Sequence, residues 1–239
     1  MKCTTLKTLF AAVALALAGP AFAQTKLKFA HVYEVNEPYH TEAVWAAGEI
    51  AKRTNNKYQV DVFPASALGN EQQITQAMPL GTIDMAYIGA SFVGATYKPI
   101  SIVNAPYIWR DIAHHTAFSK SPLMTELTDG YFKQTGHKIV AITYYGARHT
   151  TANKALNKPE DMRNMKLRVP QAPMYMMYAK AVGANSTPIA FAEVYLALQN
   201  KTVDGQDNPI GNTWAAKFFQ VQKYVALTRH IYATIVFAA

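Results

Sequence analysis

The chain has 239 residues, 23 Lys and Arg against 15 Asp and Glu for a formal net charge of +8, and half of its residues are hydrophobic. That apolar share is enough for a packed core and excludes a disordered chain. The basic residues are scattered rather than clustered, which argues against a nucleic-acid face, and the single cysteine, Cys3, excludes a disulfide framework and a cysteine metal site.

The chain opens with Lys2 and Lys7, an apolar run from Leu9 to Ala18 and a small-residue site at Ala21 to Ala23. This pattern predicts a secretory signal over 1–23, too short to span a membrane, with cleavage before Gln24. Cys3 precedes the apolar run, so the expected product carries neither thiol nor lipid anchor and is exported as a free, basic protein. No later segment is apolar enough over its length to cross a bilayer.

"KLKFAHV" (Lys26 to Val32) and "YQVDVF" (Tyr58 to Phe63) read as strands flanking a helical pattern from about Tyr39 to Arg53. A second helix near Glu71 to Met78 and a third strand in "GTIDMAYIG" follow, the beginning of a parallel α/β sheet. The second half repeats the theme with strands in "HKIVAITYYG", "MKLRVP" and "TVDGQ" and helices in "MYMMYAKAVG" and "FAEVYLALQ". A faint internal echo places Asp84 of "GTIDMAY" and Asp204 of "KTVDGQD" at matching positions, as two similarly built lobes would.

A cleft between two α/β lobes is a common ligand site, and the residues past each strand's carboxyl end would line it. These include His31, Tyr33, Gly89 to Phe92, Arg148, Arg168 and Gln206 to Asn208. Arg148 is read as following a strand and a glycine, and Arg168 lies between Leu167 and Val169, where a guanidinium needs a partner. An arginine's planar fork grips a carboxylate with two parallel bonds and keeps its proton. Asn208 precedes a proline that holds it extended, with an amide able to donate and accept. Nucleophile elbow, zinc-helix, phosphate-loop and dinucleotide-turn motifs are all absent from the sequence. The pair His114 and His115 points to two faces of any regular element, so a polar loop or helix surface is expected rather than a metal site. Neither enzyme activity, a cofactor nor a metal is expected.

Three stretches, "GARHTTANKALNKPEDMRNMKLRVPQAP", "VGANSTPIAFAEVYLALQNKTVDGQDNP" and "KFFQVQKYVALTRHI", closely resemble the substrate-binding proteins of tripartite ATP-independent periplasmic (TRAP) transporters. The resemblance is to the family that includes C4-dicarboxylate, sialic-acid and sugar-acid binders, and it covers Lys26 to Ala239. It implies a two-lobed periplasmic binding protein of the Venus-flytrap kind, with 24–145 mainly lobe I and 146–239 mainly lobe II. Such a receptor, acting as a monomer, closes on an organic acid and delivers it to the membrane subunits of a TRAP permease. The resemblance assigns the carboxylate grip to Arg168, cleft-facing roles to Arg148 and Asn208, an aromatic cover to Phe191, and a place near the ligand's far end to Glu71.

The family's sialic-acid binders tend to carry an acid after the third strand, where this chain has Gly89 and Ala90. Sialic acid is therefore not the expected solute, and Arg148, Arg168 and Asn208 with the polar loops "RHTT" and "GNEQQ" point to a sugar acid such as a uronate or aldonate. The alternatives are a C4-dicarboxylate or aromatic acid on the same fold, or a role as ligand-sensing partner of a signalling receptor. Chains of this family also continue past a segment like "TIVFAA", so a C-terminally truncated chain is expected.

Overall fold

The computed structural model describes residues 24–239; the expected signal, with Cys3, lies outside the described residues. The first part of the chain runs β1 (Thr25–Ala30), α1 (Pro38–Arg53), β2 (Tyr58–Phe63), α2 (Glu71–Ala77), β3 (Met85–Gly89) and the short α3 (Ala90–Val93). Two helices, α4 (Ile112–Ser119) and α5 (Pro122–Thr135), lead to the long strand β4 (Ile139–Ala152). The remainder is β5 (Lys166–Val169), α6 (Pro173–Ala181), β6 (Asn185–Pro188), α7 (Val194–Gln199), β7 (Gly205–Pro209), α8 (Ile210–Ala215) and β8 (Tyr224–Ala238).

All eight strands form one sheet in the order β2-β1-β3-β8-β4-β7-β5-β6. The two ends repeat one design, since β1 pairs in parallel with β2 and β3, and β5 pairs in parallel with β6 and β7. The aspartate echo is a structural one. Asp84 accepts the Lys28 amide at 2.7 Å and Asp204 accepts the Lys166 amide at 2.8 Å, each joining the third strand of its half to the first.

The expectation of a parallel sheet holds for each end and fails in the middle, where β8 runs antiparallel to both β3 and β4, and β4 antiparallel to β7. Residues 235–238 of β8 pair with β3, whereas 224–226 pair with the far end of β4. Two long strands thus cross from one parallel half to the other. Their ladder slips near Tyr144 and Gly146 and again near Arg148 and Thr150. At Gly146 φ is +122°, and a Cβ there would stand 2.9 Å from the Pro209 side chain, so only glycine fits this bulge. Gly205 allows a second close approach, because a Cβ would lie 2.3 Å from the Thr151 carbonyl oxygen.

One apolar core, including Ile88, Ile100, Leu167, Val169, Tyr178 and Ile235, continues through both halves, and a smaller one packs α1 on β1 and β2 through Ala43, Phe29 and Val60. Trp109 belongs to the large core, while Trp45 is exposed. His115 departs from the expected polar surface. It is buried on α4, with Nε2 2.8 Å from the Thr234 hydroxyl, because α4 packs against the central strands. Among the described residues, no group of three or more His, Cys, Asp or Glu side chains could hold a metal ion.

Candidate ligand-binding site

The carboxyl ends of both parallel halves and the middle of β4 and β8 enclose a cavity of about 30 Å³. Six of the seven residues singled out in the sequence line it: Tyr33, Glu71, Arg148, Arg168, Phe191 and Asn208. His31 does not. It lies fully buried behind Tyr33, with rings stacked 5.7 Å apart and its Nδ1 accepting the Tyr33 amide at 3.2 Å.

Arg168 is the third residue of β5, and its Nε and Nη2 donate to the Ile189 carbonyl at 2.9 and 2.7 Å. Its Nη1 is buried and has no hydrogen-bond partner among the described residues. Burial lowers this guanidinium to about 10, with Asp207 opposing the change and Arg148 adding to it. A buried donor on a cation is costly to leave unpaired, so the site has the chemistry of an anion receptor.

Arg148 is spent differently. It sits within β4 rather than in a loop after a strand, because the strand continues through Gly146 to Ala152. Its Nε donates to Asp207 Oδ2 at 2.6 Å, its Nη2 donates to the Asp207 carbonyl, and its guanidinium lies 4.7 Å from the Tyr175 ring centre. Burial pushes the Asp207 carboxyl up, but Arg148 and His230 outweigh it and hold the group well below the usual carboxylate range. His230 stacks on Tyr178 at 3.6 Å and approaches Asp207 Oδ2 at 3.0 Å. Burial lowers its pKa and favours the neutral ring, with Nε2 carrying the proton toward Asp207 and Nδ1 accepting from the Thr228 hydroxyl 2.8 Å away. Arg148 is therefore a charge-neutralised brace between β4 and β7.

Asn208 lies in β7 opposite His149, and its Nδ2 donates to Gln206 Oε1 at 2.6 Å. Phe191 meets Phe218 edge-on at 6.0 Å. Glu71 is the first residue of α2, whose start is fixed by a capping box between Asn70 and Gln73. Its half-buried carboxylate is pushed up by burial, while its own amide, Arg168 and Arg148 pull the other way.

Sequence reasoning missed Tyr145, Tyr175, Thr234 and Ile235 on the cavity wall, and it put Asp207 at a strand end without pairing it with Arg148. Tyr175 reads as one more apolar position of α6. Asp207 carried a signal, since an acid on a short apolar-flanked strand in a chain with two strand arginines implies a buried ion pair.

Residues 29–239 match the family described as bacterial extracellular solute-binding protein, family 7. The chain belongs to this family. The sialic acid-binding periplasmic protein of Vibrio cholerae is 32% identical over 225 residues, 94% of this chain and 70% of the relative. The 2,3-diketo-L-gulonate-binding periplasmic protein of Escherichia coli is 31% identical over 95% of this chain and 69% of its own length. A TRAP periplasmic solute-binding protein of Roseobacter denitrificans, solved with bound L-galactonate, superposes with a TM-score of 0.86 at 30% identity, covering 90% of this chain and 71% of that one. The family comprises periplasmic and extracellular receptors for transport rather than enzymes, and its two-lobed α/β fold is the fold described here. Among the described residues no helix is long and apolar enough to cross a membrane.

Proposed function

We propose that this protein is an exported, monomeric periplasmic receptor that binds a sugar acid, a uronate or aldonate, and delivers it to a TRAP permease. The observation that carries the reading is the Nη1 of buried Arg168 on the cavity wall, which has no hydrogen-bond partner among the described residues. Arg168 takes the carboxylate, Asn208 and Glu71 take hydroxyls, and Phe191 and Tyr33 cover the carbon chain, with His31 holding Tyr33. The relatives that bind diketogulonate and galactonate support this class. A C4-dicarboxylate draws support from the second guanidinium, but Arg148 is already committed to Asp207 and leaves one end of such a ligand without a cation.

The cavity is far smaller than the roughly 300–1,000 Å³ typical of ligand pockets, so the acid enters when the two halves part. Lobe I is mainly 24–145 and lobe II mainly 146–239, with β4 and β8 passing between them as the hinge. Bonds that join the lobes include Gln72 Nε2 donating to the Gln171 carbonyl at 2.9 Å, Asn212 Nδ2 donating to Glu37 Oε2 at 2.8 Å and Asn104 Nδ2 donating to the Tyr175 hydroxyl at 3.2 Å. A ligand that touches both lobes shifts the balance toward closure by its differential affinity.

Thermal melts with galactonate, gluconate, galacturonate, sialate, succinate and benzoate test the reading, since a ligand of the native state raises Tm by mass action. An aldonate or uronate is expected to give the largest rise. A rise with succinate or benzoate alone would move the assignment to the dicarboxylate or aromatic class.

A further inference from the structure

Glu71 is the only carboxylate on the cavity wall. The charged groups around it balance before any ligand arrives. Arg148 from β4 and Arg168 from β5 are positive, Glu71 is one negative group, and Asp207 of β7, bonded to Arg148, is the other. The remaining titratable groups on this wall are Tyr33 from the loop after β1, Tyr145 from β4 and Tyr175 from α6, and burial raises all three phenols so that they stay protonated and neutral. His230 of β8, behind Asp207, is kept neutral by burial.

A carboxylate seated on Arg168 adds one negative charge to this balanced set. In a cavity of about 30 Å³ it shares a wall with Glu71, and no cation in the site is left to offset it. Two like charges confined in a poorly hydrated space raise the pKa of the weaker acid, and an unbalanced buried charge is relieved most cheaply by taking up a proton. Burial already pushes Glu71 in that direction. Asp207 cannot serve, because Arg148 and His230 hold it ionised.

We propose that binding of an organic monoacid at Arg168 is coupled to uptake of one proton by Glu71, which then donates a hydrogen bond to the ligand and makes binding tighter as pH falls. This rests on the reading of the cavity as an acid receptor and deepens it. A fully ionised dicarboxylate brings a second charge that no group remaining in the site neutralises, so the same coupling selects monoacids.

The test is calorimetric titration of the protein with whichever acid of the panel raises Tm most, at each pH in two buffers that both hold that pH and differ in ionisation enthalpy, repeated from pH 5 to 8. The difference in heat between buffers counts the protons exchanged. For the wild type, uptake approaching one proton is expected. Over the window between the free and bound values of Glu71, Kd should weaken by about tenfold per unit rise in pH and flatten on either side. Glu71→Gln, which imitates the protonated acid, should lose the buffer dependence, bind independently of pH, and bind at pH 8 at least as tightly as the wild type. Glu126→Gln, which removes an exposed carboxylate of α5 outside the cavity wall, should retain the uptake. Buffer-independent heat in the wild type overturns the coupling and leaves the receptor reading intact, as does uptake that survives in Glu71→Gln or disappears in Glu126→Gln. If no acid binds at all, both the coupling and the receptor reading fall.

Discussion

The two parallel halves of the sheet share a topology and the same aspartate link, yet they bring opposite chemistry to the cavity. Counting from the linked Lys28 and Lys166, Arg168 stands where the first half has Ala30. The first half supplies Tyr33, Phe92 and the single carboxylate Glu71, whereas the second supplies Arg168 and Asn208, with Asp207 of the same half holding Arg148 in place. One framework thus serves as a gripping half and a covering half. The difference arises from a few side chains at strand ends, and the backbone plan is unchanged.

That contrast is broken most directly at the Arg148 to Asp207 pair, whose members are 3% and 1% exposed. Asp207→Ala should destabilise the fold by about 3–5 kcal/mol, because it leaves a buried guanidinium unpaired between β4 and β7. Urea unfolding measures this, and a loss below about 1 kcal/mol would show that the gripping half does not depend on its internal ion pair.

The buried titratable groups of both halves give the fold a signature in pH. Burial and then the charge of His40 hold His31 at about 4, against 6.5 for a free histidine, and burial lowers His115, His149 and His230 as well. For a base whose folded value is depressed, the unfolded chain takes the proton first, so stability is lost as pH falls from about 6.5 toward 4. Glu37 has the opposite sign. Burial raises it from 4.5 to about 7, the folded chain binds the extra proton, and stability is gained as pH falls through that window. Glu37→Gln should therefore steepen the acid-side fall of Tm below pH 7. Parallel Tm profiles for variant and wild type would show that Glu37 does not titrate in this way.

The smallest effect is expected where the halves merely touch. Gln72→Ala removes the bond to the Gln171 carbonyl across the cleft, and ligand affinity should weaken by only about two- to tenfold, the scale of one neutral hydrogen bond. A loss as large as that for an arginine would make this contact, rather than the guanidinium, the principal element of closure.

Much of this was legible in the sequence because it was local. Alternation and turn residues located β2 at Tyr58–Phe63 to the residue, and β1, α1, α2 and β5 nearly so. The strand-end rule brought Tyr33, Gly89, Phe92, Arg148, Arg168 and Asn208 from separate segments to one cavity, and the family resemblance added Glu71 and Phe191. Pairing between distant segments was not legible. Nothing local to "ALTRHIYATIVFA" says that it lies antiparallel between β3 and β4, and without it β4 was read as ending at Gly146 and Arg148 as a loop residue. The same blindness hid the role of Asp207, which depends on Arg148 lying 59 residues earlier in the chain. It also hid Tyr175, whose ring faces Arg148 only once α6 has packed against the central strands.

The most direct test of the central claim is calorimetric titration of the best-stabilising sugar acid into the wild type and Arg168→Ala, with folding of both checked by their melts. The free Nη1 predicts that Arg168→Ala loses about 2–5 kcal/mol of binding, roughly 30-fold or more in Kd, while remaining folded. A folded Arg168→Ala that binds the acid as tightly as the wild type would contradict the assignment of this cavity as the receptor's carboxylate site.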